Sequence, residues 1–275
     1  MIINCQNDEF INELAEDVKQ KFSTILLCHA DSLPEQLPNQ CIVVSNALEP
    51  NQVVENLIDK KAAHIVQKNK NHYSEDILIA GNLILDPASY FNSLGSSLVS
   101  DPMKELKLEF SGPKDKSTLK SRVFDFLGEV VNQNVTESVE AIFEEMYMNA
   151  IIDAPKEAAR NGHAVSSYDD GRKSSLHLLM TENKFVITCE DPFGSLLVEK
   201  FLLRMKEVYA TGAGAAINFR EGGAGLGCVI MFEHCSHLFL GVIPGQKTVV
   251  SCIVPTGLSY RQRANIKKSL HLIKV

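Results

Sequence analysis

The chain has 275 residues, 45% hydrophobic and 22% charged, a composition that excludes disordered, collagenous and coiled-coil classes. At roughly 150 residues per domain, that length suits two modest domains or one large one. With 27 basic against 34 acidic residues the net charge is −7, a sign that repels phosphate backbones and anionic lipid surfaces, so nucleic acid is not the expected partner.

From the N-terminus, MIINC reads as a strand and DEFINELAEDVKQKF as a helix, with Phe10, Ile11, Leu14, Val18 and Phe22 at helical spacing. TILLCHA and CIVVSNA are short apolar runs bounded by Pro and Asn turns, as buried strands are. NQVVENLIDKKA follows as a helix and AHIVQKN as another strand, an order that predicts a parallel sheet with helices packed on it. The stretch DPASYFNSLGSSLVSDP carries two Pro and a cluster of Ser, Asn and Gly, which punctuate structure. A domain boundary is therefore expected between about 86 and 103, dividing an α/β domain over 1–90 from a linker over 91–103.

Beyond it, MKELKLEF alternates like a strand, and KSTLKSRVFDFLGEVVNQ has helical spacing at Leu119, Val123, Phe126, Leu127 and Val130. A further helix is predicted from about Glu137 to Asp153, stopped by Pro155. SLHLLMTE and KFVITCED form an expected hairpin. A helix near Leu196 to Tyr209, a glycine-rich stretch, a helix over Cys228 to Cys235 and the strands HLFLGVI and KTVVSCIV complete an α+β domain with helices on one face of a mixed or antiparallel sheet. The tail SYRQRANIKKSLHLIKV is expected to be a basic amphipathic helix over 258–275, with Ile266, Leu270 and Ile273 on one side.

No apolar run approaches the ~20 residues that span a bilayer, and MIINCQNDEF lacks the basic start and apolar stretch of a signal peptide. The cysteines (Cys5, Cys28, Cys41, Cys189, Cys228, Cys235, Cys252) include no C-x-x-C pair and sit mostly in apolar runs, as reduced core thiols do. A cytoplasmic protein with no membrane span is expected.

Six of the 16 glycines (Gly212, Gly214, Gly222, Gly223, Gly225, Gly227) fall between 212 and 227. Glycine lets backbone N–H groups approach a ligand, and GGAGLG runs straight into a helix whose N-terminus favours phosphate; a flexible surface loop is the other reading. No Lys follows these glycines, which excludes a Walker A loop, and Cys228 stands where the dinucleotide fingerprint needs its last glycine. Upstream, Glu145 and Asn149 are four apart, so they share a helix face and suit proton removal and Mg²⁺ binding, or else form a solvated face. Asp191 ends an apolar strand just before Gly194, where a buried acceptor would read an exocyclic amine and a turn Asp would simply close the turn.

Taken in order, these segments resemble the three boxes of the Bergerat-fold (GHKL) ATPases, over about 104–257. The resemblance implies a mixed sheet with helices on one face. Glu145-Met-Tyr-Met-Asn149-Ala-Ile-Ile-Asp153 is similar to the family's Asn box, in which the Glu is general base and the Asn holds Mg²⁺. Asp191 matches the acid that recognises adenine, with Gly194 beside it; Gly223-Ala-Gly225-Leu226-Gly227 matches the box that covers the triphosphate, and 210–222 the ATP lid. Thr248 stands where the family often has a Thr near the adenine pocket. The usual D-x-G-x-G reads Asp191-Pro-Phe-Gly194-Ser, with Phe193 in place of the first glycine.

No His lies between His72 and His163, so the helix before the Asn box lacks a histidine-kinase phosphoacceptor. The domain most resembles anti-sigma-factor serine kinases, which implies ATP and Mg²⁺ as ligands and transfer of the γ-phosphoryl to a Ser/Thr of a small antagonist-like protein. A nucleotide-binding docking module, suggested by Phe193, is the alternative, with an upstream signalling protein as partner and a homodimer as a possible state. Residues 1–90 resemble the later strands of a receiver domain, with Ser45 and Lys68 at its Ser/Thr and Lys positions. Cys28 stands where the phosphoacceptor Asp would be and Asp31 is three residues too late, which implies a degenerate docking or dimerisation domain. Glu233-His234-Cys235-Ser-His237 has metal-ligand residue types, but the spacing does not converge them. Lys206 and Arg220 are either phosphate contacts or solvated charges.

Overall fold

A computed structural model describes residues 16–21, 26–29, 37, 41–46, 48, 57, 62–68, 73–128, 132–162, 171–211, 226–263 and 265–274. The expected first strand, the helix NQVVENLIDKKA, Asp31, Arg220 and most of the glycine-rich stretch lie outside these residues. The chain divides into two compact units, Met1–Pro87 with Lys267–Ile273, and Ala88–Ile266 with Lys274–Val275. No helix of the described residues is long and apolar enough to cross a membrane.

The first unit is α/β. Strands β1 (Leu26–His29), β2 (Cys41–Ser45) and β3 (His64–Gln67) run parallel in that order, and a strand from the far end of the chain, β9 (Ser269–Lys274), adds antiparallel to β3. Helices α1 (Glu16–Lys21) and α2 (Tyr73–Leu85) cover one face. There Val18, Ile77 and Ala80 meet Leu27, Ile42, Val44 and Val66 in the core. Each such side chain contributes about 1.5–3 kcal/mol when taken from water. The tail, expected to be an amphipathic helix, is among its described residues helical only at Tyr260–Arg263 and is a strand over Ser269–Lys274. Leu270 and Leu272 alternate with His271 and Ile273, and all four are buried in the sheet.

Among the described residues, the second unit has five strands in the order β7 (His237–Ile243), β8 (Lys247–Pro255), β6 (Lys184–Asp191), β5 (Ser174–Met180), β4 (Lys104–Phe110). Every neighbouring pair is antiparallel, one of the two sheet types expected from the residues, where the resemblance implied a mixed sheet. The crossover from β6 to β7 returns the chain in the same direction, but β8 inserts between them and converts both contacts to antiparallel. One face packs on helices α4 (Lys116–Leu127) and α5 (Gln133–Met148): Phe126 meets Phe185, and the Cys189 thiol donates to the Met146 carbonyl.

The other face is covered too, by the segment expected to be a linker. Residues Pro87–Ser93 form helix α3, followed by a 3₁₀ turn at Ser96–Leu98. Tyr90 is 0% exposed. Its hydroxyl bonds Ser251 Oγ at 2.9 Å and the Val249 carbonyl at 3.2 Å, and Ser251 bonds Thr188. Glycine is required opposite these aromatics, because a Cβ at Gly241 would stand 2.7 Å from the Tyr90 ring. The boundary therefore falls at 87/88, before this layer.

Helix α4 stops at Gly128, whose φ of +69° breaks the helical path. Asn132 then caps α5, accepting from Val135 N at 3.1 Å. Pro155 does not stop the helix as expected: a π turn at Asn149–Asp153 carries it into α6 (Ala154–Arg160). Proline clashes with the carbonyl four residues before it, and the wider turn relieves that clash. The Ala154 N–H accordingly donates to Asn149 O, five residues back.

Candidate functional site

The π turn sets the first half of the site. In an unbroken α-helix Asp153, eight residues after Glu145, would stand about 80° around the axis. With one residue absorbed by the wider turn it stands where the seventh would, about 20° away. Glu145, Asn149 and Asp153 thus form one stripe of oxygen-bearing side chains. Burial holds the half-buried Glu145 carboxyl above the usual carboxylate range, and the charges of Asp153 and Glu144 add to the rise. Burial likewise raises Asp153, against the nearby Lys156 and Arg160. Glu144 is engaged elsewhere, by Lys116 at 2.5 Å and Lys120 at 3.2 Å on α4.

Helix α8 (Gly227–His234) brings the end of the glycine run to this stripe. A Cβ at Gly227 would stand 2.2 Å from Glu145 Oε2, so only glycine leaves that carboxylate in place. Leu226 occupies the cap position and its carbonyl accepts from Ile230 N at 2.9 Å. Gly223 and Gly225 lie outside the described residues.

The second half lies at the end of β6. Asp191 is 8% exposed and Thr248, its register partner on β8, is 3% exposed. Burial pushes the Asp191 carboxyl up to about 7, against the hydrogen bonds that favour its ionised form. One of these, from Phe193 N, is 3.0 Å long. Thr248 Oγ1 is buried with no hydrogen-bond partner of normal geometry among the described residues. The Thr248 side chain is nevertheless among the groups that favour the ionised Asp191, so the two face each other and offer a polar ligand an acceptor and a donor in a buried site.

Gly194 borders this pair through its backbone N–H, which hydrogen-bonds the Asp191 carboxyl. Its φ is +58°, and a Cβ there would stand 2.2 Å from Ile243 O. Gly245 N donates to Gly194 O at 3.2 Å, so this glycine locks the strand end to the β7–β8 turn. Next to it, Ser195 Oγ donates to Ala154 O at 2.8 Å, joining the end of β6 to the end of the π turn. Ser195 was not singled out from sequence; its place beside Gly194 was the only signal. Phe193 is buried, with the Arg172 guanidinium 4.9 Å from its ring centre.

The sequence-predicted residues therefore form two clusters, Glu145–Asn149–Asp153–Gly227 and Asp191–Thr248, tied by Ser195 to Ala154 and by Cys189 to Met146. Their chemistry suits a Mg²⁺-nucleotide. No group of three or more His, Cys, Asp or Glu able to hold a metal occurs among the described residues. Mg²⁺ commonly takes one or two protein oxygens and completes its shell with water and phosphate, which the Asn149 amide and neighbouring carboxylates permit. The 233–237 residues diverge: Glu233 contacts Tyr209, His234 contacts Ser138 and His237 contacts Ser236. Lys206 is exposed.

Compared with known proteins, the chain matches no family model and no curated sequence.

Proposed function

We propose that residues 104–257 form a Bergerat-type ATPase domain that binds ATP with Mg²⁺ and transfers the γ-phosphoryl group to a Ser or Thr of a small protein partner. The observation that carries this reading is the buried Asp191 facing the buried Thr248 hydroxyl at the end of β6. A buried carboxylate accepts from an exocyclic amine such as that of adenine, and a hydroxyl reads a neighbouring ring nitrogen directly or through water. On α5, Glu145 supplies the base that withdraws the hydroxyl proton, its carboxyl raised by burial above the ordinary value. Mg²⁺ held by Asn149 would offset charge on the transferring phosphoryl group. Leu226, Gly227 and the α8 N-terminus supply main-chain donors for phosphate, which a protein of net charge −7 must gather locally.

The first unit is a docking unit similar to a degenerate receiver domain, a reading supported by its consecutive parallel strands β1, β2 and β3 and by Ser45 and Lys68 at their ends. The protein is cytoplasmic in this account and signals through a small antagonist-like protein or an upstream signalling protein, with a homodimer as its assembled state. Incubation with radiolabelled ATP, Mg²⁺ and candidate partner proteins tests the transfer. Labelled partner Ser or Thr is expected, and its loss in Glu145→Gln with ATP binding retained.

Phe193 favours a second reading, a nucleotide-binding docking module. Its ring fills space that the family leaves to glycine. Stoichiometric ATP occupancy with no phosphorylated partner would select this module.

A further inference from the structure

The first unit holds a pair of thiols that the proposed ATPase reading does not use. Cys28 on β1 and Cys41 on β2 are 3% and 1% exposed. They lie on the sheet face opposite Leu27, Ile42 and Val44, and so away from the α1–α2 side. Cys41 pairs in register with Leu26 and Cys28 with Val43, which makes the two cysteines diagonal neighbours across parallel strands. Their side chains lean together until Cys41 Sγ donates to Cys28 Sγ at 3.4 Å. Elsewhere in the chain, Cys189 and Cys235 direct their thiols at main-chain carbonyls.

We propose that Cys28 and Cys41 are a redox-active dithiol that closes to an intrachain disulfide when a hydroperoxide oxidises it. The donor and acceptor roles assign the steps. Cys28, the acceptor, is the nucleophile: its thiolate attacks the distal peroxide oxygen, the O–O bond breaks, and the alcohol leaves with a proton while Cys28 becomes a sulfenic acid. Cys41 then gives up its proton and attacks the Cys28 sulfur, the S–O bond breaks, and water departs. Two thiols lose two electrons in total and the peroxide gains them. The hydrogen bond from Cys41 holds the Cys28 thiol below its ordinary range, with burial opposing it.

Closing from 3.4 Å to a bond of ~2.05 Å takes about 1.4 Å of movement, shared between the two side chains and their strands. The β1–β2 ladder resists that movement, so the bond forms under strain. Strained disulfides are the readily reduced, reversible ones, which places this pair with switching rather than structural bridges.

The test uses the full chain under native conditions. The protein is treated with a small excess of hydrogen peroxide, its remaining thiols are alkylated in denaturant, and its peptides are mapped by mass spectrometry. A Cys28–Cys41 cross-linked peptide is expected, formed ahead of modification at Cys189, Cys228, Cys235 or Cys252 and removed by dithiothreitol. In Cys41→Ser, Cys28 is expected to stop at the sulfenic acid, trapped by dimedone. Complete alkylation of both cysteines after peroxide treatment would overturn the proposal, as would indiscriminate pairing of Cys28 with other cysteines.

Discussion

Asp191→Asn separates the cost of the site from its use. The Asp191 carboxyl stands at about 7 against an ordinary value of 3.8. The folded state thus holds its proton more tightly than the unfolded chain. Its contribution to stability is complete below the unfolded value and is lost as pH rises through 7. At about 1.4 kcal/mol per unit, burying this carboxyl costs about 2 kcal/mol at pH 5.5, where the fold holds it protonated, and about 4 kcal/mol at pH 8, where it is ionised. Asparagine keeps the acceptor for Phe193 N and has nothing to ionise. Urea unfolding followed by a probe in the second unit should show the variant gaining on the parent from pH 5.5 to 8, by a difference of about 2 kcal/mol. The same variant should bind ATP at least ten-fold more weakly. Equal destabilisation at both pH values would refute the reasoning, because it would make Asp191 a structural acceptor rather than a group kept at a cost for a ligand.

Gly227→Ala places a methyl group 2.2 Å from Glu145 Oε2. Phosphoryl transfer should fall at least ten-fold while stability changes by no more than about 1 kcal/mol; unchanged transfer would remove Glu145 from the base role. Gly194→Ala combines φ of +58° with a clash against Ile243 O. It should cost more than about 2 kcal/mol in denaturant unfolding, and a neutral effect would contradict the described β7–β8 lock. His64, which faces His271 at 3.1 Å, is pushed down to about 3 by burial. A lowered base is stabilising above the unfolded value near 6.5 and loses stability as pH falls towards 3, so the first unit should weaken by about 2 kcal/mol between pH 7 and 5. His64→Gln should flatten that slope; an unchanged slope would assign the acid sensitivity elsewhere.

The parts legible in sequence are those whose signal is local. The β5–β6 hairpin announces itself by two apolar runs around a short Asn-containing turn, and α5 by a long helical run ending at a proline. Tyr90 and Phe91 sit among Ser, Asn and Gly, so only the sheet they cover marks them as core. Helix α2 was missed because DILIAGNLIL is apolar nearly all round and has no clear period. In the tail, Ile266, Leu270 and Ile273 fit a helix as well as Leu270 and Leu272 fit a strand, and pairing with β3, some two hundred residues away in the chain, decides it. The candidate site follows the same division. Glu145, Asn149 and Asp191 were visible as spaced residue types, whereas the π turn that realigns Asp153 depends on how one proline is accommodated. The Asp191–Thr248 pairing depends on β8 inserting beside β6.

The central claim is nucleotide binding at the Asn149 stripe, and calorimetric titration of the full chain with ATP, with and without Mg²⁺, tests it most directly. The account predicts saturable binding that strengthens with Mg²⁺ and loses that strengthening in Asn149→Ala. No heat of binding for the parent protein, or an Asn149→Ala variant with the same affinity and Mg²⁺ dependence, would contradict it.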